Sequence, residues 1–108
     1  MEDHNSVSLV GRLVRDAEIR HVTESASVAV FDLAYSTRDK KGGDWQDVTH
    51  YVQVQQWNPG GLADYLKKGQ QIAVHGQLRF EKWEKDGEAR HKHYIRASHT
   101  QLVGKKES

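Results

Sequence analysis

Tyr51, Gln53, Gln55 and Trp57 stand at alternate positions of one short stretch, with Val48, Val52 and Val54 on the opposite parity. Two-residue alternation is the mark of a half-buried strand. With the valines inside, Thr49, Tyr51, Gln53, Gln55 and Trp57 face water. Large aromatic side chains bury about 150–250 Å² when packed, so rings left on a polar face imply that something covers them. The pattern recurs downstream. If Ile72, Val74 and Leu78 point inward, the outer face reads His75, Gln77, Arg79, Glu81, Trp83. A later strand offers Arg90, Lys92, Tyr94 and Arg96 on one face. Rings interleaved with cations suit single-stranded nucleic acid, whose unpaired bases stack at about 1–3 kcal/mol each while Lys and Arg track the phosphates. The alternative is that Trp57 and Trp83 cap the ends of the core or fill a subunit interface. Recurrence of rings on the polar register of two strands favours binding.

Other chemistry finds little support. With no cysteine there is no disulfide, no thiolate nucleophile and no Cys-based zinc site. His91 and His93 share a strand face and a pair at this spacing can chelate, but no third ligand stands at metal-site spacing, so solvated or phosphate-facing histidines are expected. No GxSxG, P-loop or HExxH motif occurs, and the carboxylates are scattered or paired with Lys. The expectation is a binding protein with no catalytic residues, no metal and no cofactor.

The elements that must position these rings fit one small domain. The 108 residues hold 36% apolar side chains, and mean hydropathy is −0.83. The core is therefore thin and the surface polar, as in a small barrel whose strands each keep one face in water. Residues 1–50 carry a net charge of −3 and residues 51–108 of +4, so positive charge gathers in the half that holds most of the candidate rings. A solvated charged surface accounts for this equally well. The polar start and the lack of an apolar run near 20 residues point to a soluble, cytosolic protein without a membrane partner.

Five strands are expected. Val7, Leu9 and Leu13 lie on the inner face of the first, with Gly11 at a bulge or sharp bend. Ala29, Phe31, Leu33 and Tyr35 mark the second, the valines above the third, Ile72, Val74 and Leu78 the fourth, and Ile95 and Ala97 the fifth. Asn58-Pro59-Gly60-Gly61 breaks the chain after the third, and Leu62, Tyr65 and Leu66 then predict a short helix of two turns stopped at Gly69. Thr37 to Gln46 and Glu84 to Glu88 read as polar connections, the second with the Asp86-Gly87 hairpin signal. Five strands with one helix between the third and fourth is the order of the OB-fold, an all-β Greek-key barrel. It binds oligonucleotides or oligosaccharides on the face of strands two and three.

The chain also resembles a known family. Asn5-Ser6-Val7 through Val10-Gly11-Arg12-Leu13-Val14-Arg15-Asp16, with Glu18-Ile19-Arg20, looks like the first strand of bacterial single-stranded-DNA-binding proteins, and Val30-Phe31-Asp32-Leu33-Ala34 like the second. Tyr65-Leu66-Lys67-Lys68-Gly69, Gly76-Gln77-Leu78-Arg79 and Trp83-Glu84-Lys85-Asp86-Gly87 are similar to three further landmarks in the right order. Each piece alone is degenerate; the ordered set, from about Asn5 to Gly104, is specific. The resemblance implies base stacking on Tyr51, Trp57 and Trp83. It implies phosphate contacts from Arg20, Arg38, Lys40, Lys67, Lys68, Arg79 and Lys82, to which the strand pattern adds Arg90 and Lys92.

It further implies sequence-independent binding and protection of single-stranded DNA in replication, recombination or repair, by a homo-oligomer, tetramer before dimer. There are departures. Ser36 and Thr37 stand where the family often keeps another stacking Trp, and Trp45 is the candidate replacement, a hairpin-packing role being the alternative. Asn58-Pro59-Gly60 replaces a turn that often carries Lys. The sequence ends at Gly104-Lys105-Lys106-Glu107-Ser108, without the acidic, Phe-ended tip that recruits replication enzymes in longer members. That implies either a short member or a longer chain cut back. The reading is one OB domain over 1–108, with the barrel over 5–104 and a polar tail over 105–108. A primosome-type OB adaptor acting mainly through protein contacts is the second reading, against which the three rings argue.

Overall fold

The fold comes from a computed structural model that describes residues 3–103, so the tail expected over 105–108 lies outside the described residues. Six strands are formed: β1 (Val7–Leu13), β2 (Glu18–His21), β3 (Ser27–Lys41), β4 (Asp44–Trp57), β5 (Gln71–Lys85) and β6 (Glu88–Leu102). They run in the order β1-β5-β6-β4-β3-β2, and β1 also pairs with β3, which closes β1, β3, β4, β6 and β5 into a five-stranded barrel. This is the expected OB barrel. The sixth strand, β2, is a four-residue piece lying outside the closure on the edge of β3, with Glu18 opposite Val30 and His21 opposite Ser27. Its four residues are all exposed, so no apolar alternation marks it as a separate strand.

The interior follows the two-residue period. Leu13, Ala29, Phe31, Leu33, Val54, Ile72, Val74, Ile95 and Ala97 are buried together, with Val7, Leu9 and Val52 packed against them. Leu66, just past the helix, is buried in the same cluster, and Leu62 packs on it. The helix spans Gly60–Tyr65 and is 3₁₀, not the two-turn helix starting at Leu62. Six residues close too few i→i+4 bonds for an α-helix to hold, so the tighter form is used. Gly69 then turns at φ 85°, as its role as a stop requires.

Two glycines allow the barrel to close. A Cβ on Gly11 would sit 2.5 Å from the Ala34 carbonyl oxygen and 2.9 Å from Leu33 Cγ, where β1 passes from β5 to β3. Gly11, expected at a bulge or sharp bend, marks this close crossing, and the register shift in the β5–β6 pairing falls at His75/Gly76. A Cβ on Gly76 would collide with the Arg96 carbonyl oxygen.

Beyond the barrel, strands continue as long two-stranded ribbons. The Thr37–Gln46 stretch, read as a connection, is ribbon: β3 and β4 stay paired from Val28–Trp57 to Lys41–Asp44. The turn is Gly42-Gly43, at φ 60° and 90°. Likewise β5 and β6 pair out to Lys85–Glu88, turning through Asp86-Gly87 at φ 52° and 79°. Leu78, expected inside, is 45% exposed: β1 stops pairing with β5 at Gly76, although Ile95, opposite Leu78 on β6, is still buried. Since β4 and β6 run parallel where they meet, at Val54–Ile95 to Gln56–Ala97, both ribbons leave from the same end. The radius of gyration, 15.9 Å, exceeds the about 13 Å of a compact chain this long, because the ribbons extend outward.

Candidate nucleic-acid interface

Pairing register fixes which side chains share the outward face. On β4 the outward positions are Trp45, Asp47, Thr49, Tyr51, Gln53, Gln55 and Trp57, facing Lys40, Arg38, Ser36, Ala34, Asp32, Val30 and Val28 of β3. Gln55 is level with Arg96 of β6, so Arg96, Tyr94, Lys92 and Arg90 continue that face. Their partners on β5 are Gln77, Arg79, Glu81 and Trp83. On the other flank Arg20 of β2 lies opposite Val28. One curved surface across β2, β3, β4, β6 and β5 thus gathers Arg20, Arg38, Lys40, Arg79, Arg90 and Lys92 with Trp45, Tyr51, Trp57 and Trp83.

None of the four rings is sealed in the core. Tyr51 is 68% exposed, Trp45 60% and Trp83 39%, while Trp57 is half-buried. Two rings carry a cation. The Arg96 guanidinium lies 5.6 Å from the Trp57 centroid, and Lys92 Nζ lies 5.5 Å from that of Trp83. Arg96 is not among the expected phosphate contacts, though the strand pattern places it on the same face as Arg90 and Lys92. Gln55 donates to Gln53 Oε1 at 3.3 Å, and Arg79 donates to Gln77 Oε1 at 3.1 Å, so amides hold one another between the rings.

Three of these cations, Arg20, Arg90 and Lys92, have carboxylate partners. Arg20 donates twice to Glu18, at 3.1 Å each. That hydrogen bond, reinforced by the guanidinium charge, holds the Glu18 carboxyl below its usual range and raises Arg20 in return. Lys92 Nζ is 3.7 Å from Glu81 and Arg90 is 3.4 Å from Glu88. Arg38 stands opposite Asp47 in the ladder. Arg15 pairs with Asp32 at 2.7 Å, and both line a shallow cleft with Glu18, Arg20, Val30 and Gln53 beside the aromatic strand. The ion pairs among them are solvent-screened and weak.

Three expected residues sit apart. Lys67 and Lys68 follow the helix, at the barrel end away from both ribbons. Asp16 anchors them there, accepting the Lys68 backbone N–H at 2.8 Å and lying 4.0 Å from Lys67 Nζ. Asp16 also lines the Arg20 cleft, so Lys67 borders the surface without standing on it. Lys82 is different. Its parity puts it on the reverse of the β5–β6 ribbon, opposite His91 and 5.6 Å from the centroid of Phe80. Among the described residues no group of three or more His, Asp or Glu is placed to hold a metal ion.

Comparison with known proteins agrees with this architecture. Residues 4–103 match the model of the "Single-strand binding protein family". The chain is 40% identical over 106 residues to the single-stranded DNA-binding protein of Treponema pallidum, covering 96% of itself and 60% of that protein. It is 38% identical over 86 residues to that of Borreliella burgdorferi, covering 78% of itself and 58% of the relative. The chain therefore spans less than two thirds of the length of these relatives. Among solved structures, a deletion mutant of the single-stranded DNA binding protein from Thermus aquaticus matches with a TM-score of 0.79 at 29% identity. The match covers 94% of this chain and 51% of that one. The Plasmodium falciparum SSB in complex with ssDNA shares the fold, with a TM-score of 0.82 at 23% identity, covering 95% of this chain and 96% of that one. A barrel closed by β1 and β3, an outward face of rings and cations, and a family match from end to end of the described residues together make this chain a member of the single-strand binding protein family.

Proposed function

We propose that this protein binds single-stranded DNA with little sequence preference, laying the strand across the outward face of β4 and the neighbouring β3, β5 and β6. The observation that carries the reading is that exposed Tyr51 and Trp83 and half-buried Trp57 share the outward face of the sheet with Arg20, Arg79, Arg90, Lys92 and Arg96. Rings accept any base through its π-face, and cations follow a backbone that is the same for every sequence. Trp45, Arg38 and Lys40 extend the path along the β3–β4 ribbon. The chain performs no reaction of its own and takes no cofactor; it shields the strand during replication, recombination or repair in the cytosol.

Residues 5–104 act as one binding domain. One OB barrel holds only about 4–16 nucleotides, so several copies together bind a longer strand far more tightly. A homotetramer, with a dimer as the lesser form, suits that need. Titration with oligo-dT tests the proposal: Trp fluorescence is quenched, and log K falls with log salt by about 0.7 per phosphate neutralised. A salt-independent affinity, or equal preference for duplex, overturns it and favours an adaptor that contacts other proteins. Incubating labelled DNA with magnesium checks that no degradation occurs.

A further inference from the structure

The reverse of the β5–β6 ribbon is built like a second stacking site. Trp83 points to one side, and Phe80, three residues earlier, points to the other. Phe80 is 48% exposed although it stands on the same parity as buried Ile72 and Val74. His93 lies directly opposite it with ring centroids 5.0 Å apart, and His91 lies at 5.4 Å. Lys82 Nζ caps the group 5.6 Å from the Phe80 centroid. Leu78, also half in water, extends the apolar floor towards the barrel mouth. Past Gly76 the β5 edge has lost β1 and is met at Leu78 by the Asn5 side chain, and past Ile95 the β6 edge has lost β4; Phe80, Lys82, His91 and His93 on this face are all exposed.

We propose that Phe80, His91, His93 and Lys82 form a second subsite for single-stranded DNA, on the face of the ribbon opposite Trp83. The proposal rests on the function above and names a place that the outward surface does not include. A half-exposed ring flanked by two planar imidazoles and one ammonium offers a π-face to a base and positive charge to the next phosphate. The same charge disfavours burial of this face against another copy of itself, where Lys82 would meet like charge. The ribbon is only two strands wide, so a strand leaving Trp83 passes over its edge and reaches Phe80 on the reverse.

The full chain with oligo-dT carrying 5-iodo-deoxyuracil provides the probe. Irradiation is expected to yield peptide adducts within 78–93 on Phe80, His91 or His93, beside adducts on Trp83. Phe80→Ala is expected to lower affinity for long oligo-dT about tenfold, to reduce the nucleotides covered per chain at saturation, and to leave short oligo-dT unaffected. Phe80 is outside the core, and an unchanged thermal melt confirms that the variant folds. Trp83→Ala in parallel keeps the two readings separate. If wild type fails to bind oligo-dT, the function above fails. If it binds and responds to Trp83→Ala while Phe80→Ala changes nothing and no adduct forms on the reverse face, the second subsite alone is wrong. A Phe80→Ala chain that loses self-association but keeps wild-type DNA affinity and coverage overturns it equally.

Discussion

The guanidinium of Arg96 stacks on the indole of Trp57, 5.6 Å from its centroid, at the level where β6 runs parallel to β4. On the proposed DNA path this places a cation and a ring within one nucleotide's reach. Arg96→Ala should weaken oligo-dT binding and lower the magnitude of the salt slope by about 0.7, the value of one lost phosphate contact. Trp57→Ala should cost about 1–3 kcal/mol of affinity with little change in slope. A titration series across salt for both variants distinguishes the two effects, and identical slopes would remove the division of labour.

Arg20 is held by Glu18, and on the proposed DNA path phosphate would compete for it. Glu18→Gln should therefore raise affinity several-fold at low salt. The effect also has a pH signature. Because Arg20 holds the Glu18 carboxyl below its usual value, the pair is fully formed above the ordinary carboxylate range and is lost as pH falls through that lowered value. Wild type and Glu18→Gln should differ near neutrality and converge in acid, read by oligo-dT titration at successive pH values.

Trp45 and Tyr51 share a strand face but stand about 20 Å apart along β4. A short oligonucleotide held at Tyr51 and Trp57 does not extend to the ribbon tip. Trp45→Ala should then leave short oligo-dT binding intact and weaken only longer strands. Equal losses at all lengths would instead indicate that Trp45 supports the ribbon itself.

Gly76 is where β5 passes closest to Arg96 and Ala97, so any Cβ there meets backbone that cannot step aside. Gly76→Ala should destabilise the barrel by about 1–3 kcal/mol. Phe31→Ala, which empties the centre of the core, should cost about 3–5 kcal/mol. Thermal and denaturant melts read both, and a neutral Gly76→Ala would mean that β6 relaxes locally.

Where one side of a strand is buried, its pattern was legible. Val52 and Val54 inward and Tyr51 and Trp57 outward follow directly from period-two alternation, as do Phe31, Leu33, Ile72 and Val74. Alternation falls silent once both faces meet water. The ribbon from Ser36 to Lys41 is polar on both sides, and only Gly42-Gly43 betrays its turn. Leu78 and Phe80 carry the parity of core residues, so sequence alone places them inside; they stand past Gly76, where β1 stops pairing with β5, and are exposed. Lys82 enters as a phosphate contact only through family resemblance, and as the immediate neighbour of Trp83 in the strand it points to the opposite side. The cation on Trp57 was equally hidden, since β4 and β6 meet through a parallel pairing between distant segments.

That parallel pairing has a mechanical consequence. The two ribbons are joined by backbone bonds only from Val54–Ile95 to Gln56–Ala97, and above this short seam each is an independent cantilever. Bending one towards or away from the other leaves the barrel's own ladders intact and costs only exposed contacts. The gap between them is thus set by exposed side chains and not by a shared hydrogen-bond ladder.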